Sequence, residues 1–146
     1  MKKIKIFPFV LIALTVLALA GIAADGGRPI TVEMTGAAER PGPGDPDGSG
    51  TAMFWLNPGL EQICYELSVS NITLPAAAAH IHVAPTSSPG PVVVPLNAPD
   101  ASGTSSGCAS ASRDLILAIL HNPENYYVNV HNSDYPAGAV RGQLSD

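Results

Sequence analysis

Short runs of alternating apolar and polar residues, each cut off by glycine or proline, leave this chain few ways to fold. Fourteen glycines and fourteen prolines punctuate its 146 residues. Proline removes a backbone donor and glycine costs about 1 kcal/mol in a helix interior, so long helices are excluded over most of the length. The clearest run is 61–70, where Ile63, Tyr65, Leu67 and Val69 alternate with Cys64, Glu66 and Ser68. Side chains of an extended strand point to opposite faces in turn, which puts the first set on a core and the second away from it. Strands are also expected at 30–35, 51–56, 80–84, 92–94, 104–109, 126–132 and 139–144, with Asn57-Pro58-Gly59 as a tight turn. One helix is expected after Ser112: a serine N-cap, Asp114 in the first turn, an apolar stretch over 115–120, and Pro123 to end it. The implied fold is all-β, an antiparallel Greek-key-like β-sandwich of about eight strands with one short helix.

The first 24 residues read as a targeting segment. Lys2, Lys3 and Lys5 precede an apolar run, and Ala18-Leu19-Ala20 has the small-x-small form of a cleavage site. An uncleaved N-terminal anchor is the alternative, although the run falls short of the roughly 20 apolar residues of a typical span. Residues 25–146 then form a single domain. All three lysines lie in the leader, so this domain sets four arginines against twelve carboxylates, a formal charge of −8. Such a surface repels phosphate backbones and anionic lipid, which excludes nucleic acid and membrane surfaces as partners. Cys64 and Cys108 travel with an export signal, so a disulfide is expected; two buried free thiols are the alternative.

Three of the four histidines sit on two of the expected strands. In Ala79-His80-Ile81-His82-Val83, Ile81 and Val83 face the core, and His80 and His82 share the other face about 7 Å apart. In the second segment Tyr126, Val128 and Val130 face one way, and Tyr127, Asn129 and His131 the other. If the two strands are neighbours, His80, His82 and His131 gather on one patch. Imidazoles so arranged suit copper or zinc. The plainer reading is a polar face in which they hydrogen-bond to each other, to Asn129 or to backbone groups. His121 follows the helix, where it meets the C-terminal dipole as a cap, and is the candidate for a fourth ligand.

Arg141 is expected to form a structural ion pair with Glu39 or Glu33; anion binding is the sharper alternative. Asp45-Pro46-Asp47-Gly48 reads as a turn, because a calcium loop needs further spaced oxygens. No phosphate loop, nucleophile elbow or Cys–His pairing is visible.

Six segments occur in order: Met34-Thr35-Gly36-Ala37-Ala38-Glu39, Gly48-Ser49-Gly50-Thr51-Ala52, Ala79-His80-Ile81-His82, Gly90-Pro91-Val92-Val93, Tyr127-Val128-Asn129-Val130-His131 and Ala137-Gly138-Ala139-Val140-Arg141-Gly142-Gln143-Leu144. Together they resemble the CHRD domain, the module named after chordin and found in secreted bacterial proteins. The resemblance implies an extracytoplasmic β-sandwich without an established catalytic activity. Chordin's growth-factor binding resides in cysteine-rich repeats that this chain lacks, so that role is not carried over. The leading expectation is a non-enzymatic, exported binding or structural module of the envelope or extracellular space, with an unknown extracellular partner and a possible copper or zinc site. A copper or zinc metalloenzyme resembling superoxide dismutase is one alternative. A self-associating surface protein is the other.

Overall fold

A computed structural model describes residues 26–145. The expected targeting segment, residues 1–24, lies outside the described residues. Eight strands form one antiparallel sheet: β1 (Arg28–Thr35), β2 (Ser49–Asn57), β3 (Gln62–Ser70), β4 (Ala78–Val83), β5 (Val92–Leu96), β6 (Thr104–Ser110), β7 (Tyr126–His131) and β8 (Val140–Gln143). Their order is β5-β4-β7-β8-β1-β2-β3-β6. The expected strands and helix are all present, with ends shifted by a residue or two. The eight strands curl into one nearly closed shell, because the terminal strands β5 and β6 meet. Side chains close that gap. The Tyr65 hydroxyl accepts from Asn97 N at 2.7 Å, and Ser105 Oγ donates to Asn97 O at 2.8 Å. Pro95 is tolerated within β5 because an edge strand can spare a donor.

The alternation decides what fills the shell. Val32 and Met34 from β1, Ala52, Phe54 and Leu56 from β2, and Ile63, Tyr65, Leu67 and Val69 from β3 are all buried in one cluster with Ile81, Val94, Val128, Val130 and Val140. The helix α1 (Arg113–His121) adds Ile116 and Ile119, one turn apart and fully buried. Burying each such side chain is worth about 1.5–3 kcal/mol. Ser112 caps α1, its Oγ accepting from Leu115 N at 3.3 Å. Cys64 and Cys108 face each other across β3 and β6, on the side away from the apolar row, and are joined in a disulfide. The Asp45–Gly48 segment is a turn, closed by Gly48 N donating to Asp45 O. No helix among the described residues is long and apolar enough to cross a membrane.

Strand β7 departs from simple alternation, since Tyr126 through Val130 are buried on both faces. Its inner face meets the core. Its outer face lies under two loops, residues 84–91 and 132–138, that roof β4, β7 and β8 with polar groups.

Candidate metal centre

Strands β4 and β7 are hydrogen-bonded neighbours, with His80 opposite Asn129 and His82 opposite Tyr127. This pairing brings His80, His82 and His131 onto one outer patch, as the alternation requires. One ring nitrogen from each lies within 4.8 Å of the others. His121 sits exposed on the last turn of α1, outside this group.

Backbone carbonyls orient two of the three rings. His82 Nδ1 lies 2.8 Å from Gly90 O, and His131 Nδ1 lies 3.0 Å from Pro136 O. A carbonyl only accepts, so both Nδ1 atoms carry the proton, and both Nε2 atoms keep a lone pair. His80 Nδ1 donates to His131 Nε2 at 3.2 Å. His82 Nε2 is fully enclosed and has no hydrogen-bond partner. An orphaned buried acceptor costs about 1–3 kcal/mol, so something other than this chain's own donors fits the atom better. Burial, and then the neighbouring imidazoles of His131 and His82, hold His80 below its ordinary pKa. Burial also depresses His131; the Pro136 carbonyl opposes this and His82 reinforces it. Both rings are therefore neutral at neutral pH, the form that ligates metals.

The roof loops put those carbonyls in place. A Cβ at position 90 would fall 2.0 Å from Val83 O, so only glycine lets loop 84–91 approach β4 closely enough to reach His82. Arg141 pins the same loop, donating to Pro85 O at 2.9 Å and Ser88 O at 3.0 Å. Gln143 Nε2 donates to Ala84 O at 2.8 Å. Tyr127 completes the arrangement. The His82 ring stacks on it at 4.7 Å, and the Arg141 guanidinium lies 3.5 Å from its centroid. At those distances the two groups must occupy opposite faces of the phenol.

Glu39 and Arg141, the expected ion pair, lie in each other's field. The guanidinium's hydrogen bonds go to the two loop carbonyls and to Gln143 Oε1. Glu39 is buried, and its Oε1 has no partner. Burial raises its pKa to about 7, against the lowering influence of the Asn129 side chain and Arg141. Its carboxyl packs against Gly138, whose φ of +142° only glycine adopts freely.

The histidine trio was readable from strand alternation. Gly90 and Pro136, whose carbonyls orient two of the rings, were not, because they depend on loops folding back over the sheet, whereas alternation already put Tyr127 on the face of Asn129 and His131. The only early signal was Gly90 between two prolines.

No curated protein and no solved structure matches the chain. The family model described as the CHRD domain matches residues 30–144, which includes every strand from β2 to β8, most of β1 and the whole histidine patch. On that match the chain belongs to the CHRD domain family.

Proposed function

We propose that this protein is an exported binding module of the cell envelope or extracellular space whose concrete activity is to hold one Cu(II) or Zn(II) ion on His80, His82 and His131. The carrying observation is the pair of imidazoles whose Nδ1–H groups are committed to backbone carbonyls, one of them with a buried, unpartnered Nε2. Metal-bound histidines usually donate their second nitrogen in this way, which fixes the tautomer and aims the lone pair. Two nitrogens on a common tetrahedral ion at 2.0–2.1 Å stand about 3.4 Å apart, so separations of up to 4.8 Å must shorten by up to about 1.4 Å to bring this trio into range. The ion replaces the hydrogen bond between His80 and His131, and His80 needs only a change of tautomer to join.

The test is calorimetric titration of metal-free protein with Cu(II) and with Zn(II), checked by elemental analysis after dialysis. One equivalent is expected, lost in His80→Ala/His82→Ala and retained in His121→Ala. Metal content near zero after loading, or undiminished binding in the double variant, would remove the proposal.

A further inference from the structure

A second site, which uses none of the histidines as a contact, follows from where the few positive charges lie. The domain after the leader has four arginines and no lysine, yet two of the four border one cleft of about 260 Å³. Its walls include Glu33, Thr35, Arg40, Thr86, Arg141 and Gln143. Arg141 is only 1% exposed. Cations buried that deeply ordinarily have a carboxylate partner, because desolvating an unpaired charge is expensive. Here the guanidinium meets neutral groups: the oxygens of Ser88, Pro85 and Gln143, and the face of Tyr127.

Arg40 stands close enough for its charge to act on Arg141, so two like charges converge on the cleft. Glu39, the acid whose charge acts on Arg141, is held at a pKa of about 7 by burial and supplies only part of a counter-charge at neutral pH. Glu33 on the cleft wall faces Thr51 on β2, 3.4 Å from its hydroxyl. The hydroxyls of Thr35 and Thr86 are exposed and have no protein partner among the described residues.

We propose that this cleft binds a small oxyanion, held by Arg40 and the hydroxyls of Thr35 and Thr86 in the field of the buried Arg141. The anion supplies the counter-charge that the fold itself withholds. Phosphate and carboxylate share this chemistry.

Protein stripped of metal and dialysed free of chelator is titrated with inorganic phosphate and, in parallel, with acetate, at constant ionic strength. Backbone amide chemical shifts are followed throughout. Saturable shifts at Thr35, Thr86 and Gly142 are expected. A preference for phosphate identifies a tetrahedral anion as the ligand, and a preference for acetate a planar carboxylate. Arg40 is half-exposed, and its Nη1 donates to the carbonyls of Ala37 and Glu39, so Arg40→Gln is compared with the native protein only after its melting temperature and amide spectrum show a native fold; it should weaken binding by about fivefold or more, as loss of a charge-assisted contact does. Glu33→Gln should strengthen it. Shifts that never saturate, or equal affinity in Arg40→Gln and the native protein, would overturn the site.

Discussion

Replacing Glu39 with glutamine should make the protein more stable at alkaline pH and leave it nearly unchanged at acid pH. The Glu39 carboxyl is 2% exposed and has an unpartnered oxygen, and its pKa is raised from 4.5 to about 7. The folded protein therefore binds this proton more tightly than the unfolded chain. Below pH 4.5 the group is neutral in both states, and its contribution is fully present. As pH rises through 7 the folded state must accept a buried charge, and the contribution is lost. At about 1.4 kcal/mol for each pH unit, the gap amounts to about 3 kcal/mol. Glutamine keeps the shape and cannot ionise, and its amide oxygen can still accept from the Asn129 side chain. Guanidinium unfolding at a series of pH values, without metal, gives the stability difference between Glu39→Gln and the native protein. His80 and His131 slope the other way. Their depressed pKa values give stability present above about 6.5 and lost as pH falls through the folded values. Because both proteins share these histidines, they cancel in the difference. The difference should grow by about 2–3 kcal/mol between pH 4.5 and pH 8. A flat curve, or a native protein more stable than the variant at pH 8, would refute the reasoning.

Removing the crosslink with Cys64→Ala/Cys108→Ala should cost about 3–4 kcal/mol, given the 44-residue separation, and reductant should lower the native protein to the same level in denaturant titrations. Gly138→Ala should destabilise by more than about 2 kcal/mol, since its Cβ would lie 2.3 Å from the Glu39 carboxyl in a backbone conformation that side chains disfavour; a melting temperature unchanged from the native value would contradict this. Ser112→Ala should cost about 1 kcal/mol through loss of the α1 cap, and Ser112→Asp should restore it, both read from unfolding midpoints.

Most of the fold was legible because period-two alternation is a local property. Ile63, Tyr65, Leu67 and Val69 declare the inner face of β3 without reference to any neighbour, and all four are buried. Ser112, Asp114 and Pro123 bound the helix just as locally. Adjacency of the histidine strands needed one assumption, that β4 and β7 pair, and they do. Closure of eight strands into a single shell was less legible, because it rests on Tyr65 reaching Asn97 across 32 positions of sequence. Burial on both faces of β7 was hidden for a similar reason. Tyr127 and Asn129 look like solvent-facing residues until loops 84–91 and 132–138 cover them. Glu39 gave no sign of burial, since a lone carboxylate beside an arginine reads as a surface residue.

The meeting of β5 and β6 gives the barrel a seam. Elsewhere around its girth backbone pairing holds neighbouring strands, by ladders of four or more pairs except between β1 and β8, which share the single pair Thr35 and Arg141. At the seam a phenol, a serine hydroxyl and one main-chain amide span the gap. Opening of the wall should concentrate along that line, with amide protons of Val92–Leu96 expected to exchange with deuterium sooner than those of the central strands β2 and β3. The crosslink between Cys64 and Cys108 rivets β6 to β3, so any parting of the seam should fall on the β5 side, next to the strand that carries His80 and His82.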